Sequence, residues 1–233
     1  MFHGKMKAVT FSYDDGVTQD RRLIEILNRY GLRGTFNLNS GQFASAAAFY
    51  DERKNITFPH VRLRASEIAG VYAGHEVASH TLTHPNLTKL SDEEITAEVE
   101  NDRKALSEIV GYDVRGFAYP FGTGATDARV AGILRTKTGV RYARTTTSTH
   151  DFSFPDDPLF WHPTARHAEW NVLDALAERF LSMRPDTPQV FYIWGHAYEF
   201  DRDGDWERFE AFCKKIAGRD DIFYGTNAQV LFG

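Results

Sequence analysis

The chain has 233 residues, 42% of them hydrophobic and 25% charged, the balance of a soluble globular protein with a buried core rather than a disordered one. A net charge of −5 offers no basic stripe for phosphates, so nucleic acid and other polyanions are not expected partners. No run of about 18 uncharged apolar residues is available to span a membrane, and residues 1–7 lead straight into a strand-type run instead of the longer apolar stretch of a signal peptide. The single cysteine, Cys213, lies in a helix-like run, so a buried structural thiol and a reducing, cytoplasmic compartment are expected.

Short apolar, β-branched or aromatic runs alternate along the chain with longer amphipathic ones. The first strand is predicted over residues 7–12, followed by a helix over 19–30 that Thr18 can cap and Gly31 can end. Strands two and three fall at 34–39 and 75–79. The clearest helix follows: Ser91 and Glu94 form a capping box, Ile95, Val99, Leu106 and Ile109 share its inward face, and Gly111 closes it. Strands four to seven are predicted at 116–119, 140–143, 190–194 and 222–224, with helices near 127–136, 171–183 and 206–217 between them. About seven strands separated by helices specify an α/β protein with a parallel sheet, and the even rhythm favours an irregular (β/α) barrel forming a single domain over residues 1–233. Two segments, 40–62 and 145–167, break that rhythm; loops so long within a compact domain are usually functional or disordered.

Four clusters follow the C-terminal ends of predicted strands, where a βα barrel builds its active site. After the first come Asp14, Asp15 and Gly16, which read either as an ordinary turn or as two acids that divide labour, one binding a metal and its neighbour taking a proton. After the third come His80 and His84; imidazoles four apart can share one ion if the backbone turns helically between them, although nine histidines make such a pair unremarkable by itself. After the fourth, Phe117 to Gly122 read as an aromatic strand end turning at Pro120, or as a rigid turn that presents the Phe121 N–H to a developing oxyanion. After the sixth come Trp194, Gly195 and His196, where the histidine is either structural or able to protonate a leaving amine.

Together and in this order, the clusters resemble the polysaccharide deacetylase family, which carries the NodB homology domain and is also called carbohydrate esterase family 4. The resemblance spans about residues 7–225, and the His-Thr-x-x-His run at 80–84 is its most specific element. It implies a metal-dependent hydrolase that removes acetyl groups from an N-acetylated sugar, with Asp15, His80 and His84 as metal ligands, Asp14 as base, His196 as acid and Trp194 lining the acetyl pocket. Tyr119, Pro120, Arg144 and Trp161 join Trp194 as candidate substrate-binding residues, and Phe160, Trp170 and Tyr198 offer further flat faces for a sugar ring. His150, His162 and His167 lie in the second long loop, where solvated side chains are the simplest reading. Zinc suits the ligand types best; cobalt, nickel, manganese and iron also accept mixed nitrogen and oxygen donors. Two departures mark a divergent branch. Ala118 stands where the resemblance implies an arginine that orients the base, a role that Arg144 or Arg166 can take over, and residues 143–150 carry no recognisable counterpart of the family's Asp and Trp motif. Alternative readings are a hydrolase of another small amide, of ureide or imide type, and a carbohydrate-binding homologue without catalysis.

Overall fold

The structure, a computed structural model, describes residues 2–233. Its centre is β1 (Lys7–Asp14), an eight-residue run buried on both faces, as a parallel strand covered by helices must be. Val9, Phe11 and Tyr13 point outward into the largest apolar cluster. With a side-chain period of two, Thr10, Ser12 and Asp14 point the other way, into the curl of the sheet. After α1 (Asp20–Arg29) and β2 (Gly34–Leu38), the chain forms an antiparallel hairpin of β3 (Ala46–Asp51) and β4 (Ile56–Val61), then α2 (Ala65–Val71) and β5 (Glu76–Ser79). The remainder alternates: α3 (Asp92–Val110), β6 (Gly116–Ala118), α4 (Ala128–Lys137), β7 (Tyr142–Arg144), β8 (Ala165–Arg166), α5 (Trp170–Ser182) and β9 (Gln189–His196). It ends with α6 (Tyr198–Asp203), α7 (Trp206–Ile216), β10 (Ile222–Tyr224) and α8 (Asn227–Phe232).

The parallel strands run β7-β6-β5-β2-β1-β9-β8, with β10 beside the first half of β1 and β2 beside its second half. This is the expected irregular (β/α) barrel, curled into a half-barrel. The segment around β8 draws its edges together: the Trp161 N–H donates to Ala143 at 3.0 Å on one side, and the Thr164 N–H to Tyr192 at 2.8 Å on the other.

Sequence patterning and structure agree best where capping is strong. In α3 the Glu94 N–H donates to Ser91 Oγ at 3.2 Å, the Ser91 N–H donates back to the Glu94 carboxylate at 2.8 Å, and Gly111 takes a left-handed φ of 76°. At α1 the cap differs from expectation, because Gln19 holds the N-cap position and the Thr18 hydroxyl turns to the Gln19 side chain instead. The 40–62 segment, expected to be irregular, contains the β3–β4 hairpin; β3 is almost wholly exposed, so no apolar alternation announces it. Cys213 is buried and free on α7. Among the described residues no helix is long and apolar enough to cross a membrane.

Candidate active site

Parallel register sets the floor of the site. Asp14, the last residue of β1, lies opposite Asn37 on β2 and His196 on β9. Its carboxylate accepts from Asn37 Nδ2 at 2.8 Å through one oxygen and from the Arg144 guanidinium at 2.5 Å through the other. Both partners of this ion pair are enclosed, at 2% exposure for Asp14 and 0% for Arg144. Burial alone would raise the Asp14 carboxyl, but Arg144, helped by His80 and His196, holds it below the usual carboxylate range. Asp15 takes a left-handed φ of 81°, so the chain turns sharply and the two adjacent carboxylates diverge. Its side chain meets His60 and Arg62 of the hairpin region, at 3.2 and 3.0 Å. Burial again opposes ionisation, and the His60 contact with the nearby cationic groups overcomes it, so this carboxyl is held far below its ordinary value.

The two histidines come together without a helix. Thr81 and His84 both adopt positive φ, 69° and 63°, and the His84 N–H donates to Thr81 Oγ1 at 3.0 Å, closing a compact turn that replaces the expected helical one. His80 Nδ1 lies 2.8 Å from the Ala118 carbonyl, which can only accept, so Nδ1 carries a proton and Nε2 is the ring nitrogen available to a metal. The loop is fixed from behind by Asn39, whose amide donates to the His80 and Thr81 carbonyls, and by Asp102, which accepts from the Ser79 hydroxyl. Desolvation, then His80, draws the His84 imidazole down to about 4, so it is neutral at neutral pH. One donor atom each from Asp15, His80 and His84 lies within 4.8 Å of the others. That is a small side-chain rotation from the roughly 3–4 Å spacing of ligands on one ion. A deprotonated carboxylate, a neutral imidazole and an imidazole whose Nδ1 is held by a carbonyl, leaving Nε2 to face the others, form a donor set that fits a divalent cation.

On β9, His196 Nε2 lies 3.8 Å from Asp14 Oδ2. Desolvation at the cleft floor is the main cause of an imidazole drawn down to about 4. On its other side, Nδ1 is 3.4 Å from Glu199, a residue that sequence reading did not single out. Glu199 is 1% exposed and ion-paired with Arg166. The only signal for it in the sequence was its spacing of three from His196 at a strand-to-helix turn. Gly195 lets His167 pack against the strand, since a Cβ there would collide with that ring. Trp194 lies beneath two guanidiniums, at 4.5 Å from Arg144 and 5.6 Å from Arg166.

These residues border an open cleft of about 510 Å³, lined by Asp14, His80, His84, Trp194 and His196 with Phe121 and Arg166 at its rim. Phe121, at φ 57° and 62% exposed, has no acceptor for its N–H among the described residues. Pro120 is buried in the turn beneath it. Two expected substrate contacts are corrected. Arg144 is sealed behind Asp14 and has no surface for a ligand. Trp161, 2% exposed, packs against Tyr142 and Tyr192 inside the curl. Tyr119 borders the cleft, and its hydroxyl donates to the Leu159 carbonyl at 2.9 Å. His167, expected in solvent, is buried and stacked on Tyr13 and Phe200.

A βα half-barrel with paired acids at the end of β1 and paired imidazoles after β5 defines the class of domain by its fold and site, and comparison with known proteins assigns the family. The polysaccharide deacetylase family model matches residues 3–143, and the chain belongs to that family. Chitin deacetylase 3 of Cryptococcus neoformans is 28% identical over 152 residues, covering 65% of this chain and 33% of that protein, so the chain spans about a third of its relative's length. A family 4 carbohydrate esterase from Streptomyces lividans, solved in complex with acetate, superposes with a TM-score of 0.53 at 19% identity, covering 91% of this chain and 86% of the other. A family 4 pseudoenzyme from Bacillus anthracis superposes with a TM-score of 0.56 at 18% identity, over 99% and 66% of the two chains. The fold is therefore shared with an esterase and with a pseudoenzyme, and reactivity has to be argued from the site.

Proposed function

We propose that the chain hydrolyses N-acetyl or O-acetyl groups of an acetylated sugar or oligosaccharide, using one divalent cation held by Asp15, His80 and His84. The observation that carries this reading is the convergence of those three donors within 4.8 Å, beside a second buried carboxylate that is not one of them. When bound, such a cation polarises the acyl oxygen and acidifies a water. Zinc is favoured by the donor types, with cobalt, nickel, manganese and iron as chemically reasonable substitutes.

Asp14 is the base. Ionised at neutral pH through Arg144, it places Oδ2 4.0 Å from His80 Nε2, at the edge of the ligand cluster, where it can take the proton of an attacking water. The water oxygen bonds to the acyl carbon, the carbon–nitrogen or carbon–oxygen bond breaks, and the leaving group receives a proton from His196. Because His196 is neutral at neutral pH, it must first gain that proton, and Asp14, which takes it from the water, lies 3.8 Å from Nε2 and can pass it on. The Phe121 N–H, which has no acceptor among the described residues, offers a donor to negative charge on the acyl oxygen. Arg144 and Glu199 are positioning residues. Arg144 sits on β7 in register with Ala118 of β6, so the guanidinium missing from position 118 reaches Asp14 from the adjacent strand. Glu199 faces His196 Nδ1 from the start of α6. The sugar substrate is carried over from relatives named as chitin deacetylases.

Acetate release from short N-acetylglucosamine oligomers tests the reading, with protein stripped by a chelator and reloaded with Zn²⁺ or Co²⁺. Acetate that depends on reloading is expected. Equal release from stripped protein would remove the cation, and hydrolysis of ureides or imides without acetate from sugars would remove the substrate.

A further inference from the structure

The β3–β4 hairpin has no role in the chemistry above, yet it delivers two side chains to a single carboxylate. His60, on β4, places Nε2 3.2 Å from Asp15 Oδ2. Arg62, just beyond β4, donates to Asp15 Oδ1 at 3.0 Å and, through Nε, to the Asp15 main-chain carbonyl at 3.1 Å. We infer that His60 and Arg62 are positioning residues that fix the Asp15 carboxylate for cation binding, which makes the hairpin a built part of the metal centre. This rests on the reading that Asp15, His80 and His84 hold a divalent cation.

Three observations support it. Asp15 is a non-glycine residue at φ 81°, a disfavoured conformation that persists only when surroundings impose it. The Arg62 fork spans both ends of that residue and supplies such a constraint. Each carboxylate oxygen has two lone pairs; His60 and Arg62 occupy one on each, leaving one on each for a metal. Finally, a two-stranded ribbon is marginal by itself, and β3 is exposed. The ribbon is tied down where it meets the Asp15 turn, by the Thr18 N–H on Val61 at 2.8 Å and the Leu63 N–H on Gly16 at 2.9 Å, and by Phe58 stacked 5.6 Å from Tyr198.

Charge alone argues the opposite sign, since a guanidinium beside the site repels a cation. Two substitutions therefore separate the effects: Arg62→Lys keeps the charge and loses the fork, while Arg62→Gln loses both. The experiment titrates Co²⁺ into chelator-stripped protein against an indicator and records the cobalt absorption band, with metal-free melting as a fold control. The wild type is expected to bind one Co²⁺ and His80→Ala to lose it, while Arg62→Lys and His60→Ala each weaken binding about 10- to 100-fold and shift the band. If His60→Ala does not fold, the conservative Arg62→Lys carries the test. Arg62→Lys binding as tightly as wild type, with Arg62→Gln tighter, would overturn the positioning role. A wild type that binds no Co²⁺ would instead sink the underlying metal reading.

Discussion

Replacing Arg144 by methionine removes the counter-charge of Asp14 while nearly keeping the side-chain length. Arg144 is fully buried and Asp14 shows only an edge to the cleft, so solvent screens the loss little, and stripping one partner from a buried ion pair costs about 3–5 kcal/mol. The pH dependence has a definite sign. In the wild type the Asp14 carboxyl titrates below its unfolded value of about 3.9, so its contribution is complete above that pH and is lost as the pH falls through the lower folded value. Without Arg144, burial becomes the dominant influence and the carboxyl rises. The deficit is then largest at neutral pH and shrinks as acid protonates Asp14. Urea denaturation at pH 7 and pH 5, with chelator present to exclude cation binding, reads both effects. Asp14→Asn combined with Arg144→Met should recover part of the loss, with a coupling of up to about 3 kcal/mol. An Arg144→Met protein within about 0.5 kcal/mol of wild type at pH 7 would refute the pairing.

Removing the acid, by His196→Ala, should lower kcat roughly 10²- to 10⁴-fold with cation content unchanged, checked by acetate assay beside metal analysis. Trp161→Ala should cost about 3–5 kcal/mol in denaturation without raising KM, because its ring fills the interior of the curl; a KM rise at unchanged stability would return it to the cleft. Gly195→Ala should lower the melting temperature by several degrees and reduce turnover, since its Cβ would strike the His167 ring one residue from His196. His167→Ala in the same chain should restore part of both.

The barrel was legible because its strands and helices carry strong local signals: the run buried on both faces at β1, the Ser91–Glu94 box and the left-handed Gly111. The aspartates and the histidine pair were legible as types at strand ends. Their geometry was not, since the turn that joins His80 to His84 depends on left-handed Thr81 and His84, a conformation that propensity assigns to neither. Arg144 could be named as one of two arginines able to reach Asp14, but choosing it needed the β6–β7 register. Glu199, His60 and Arg62 were missed because their partners lie far off in sequence or across a strand-to-helix turn, and an exposed hairpin leaves no apolar period to read. Trp161 was misjudged because an aromatic residue in a loop gives no sign of which side it faces.

Diffraction from crystals grown with Zn²⁺, recorded on both sides of the zinc absorption edge, tests the shared ion most directly. The expected result is a single anomalous peak about 2.0–2.2 Å from an Asp15 oxygen and from one ring nitrogen each of His80 and His84, with Asp14 outside its coordination sphere. A peak bound elsewhere, or one that takes Asp14 as a ligand in place of Asp15, would contradict it.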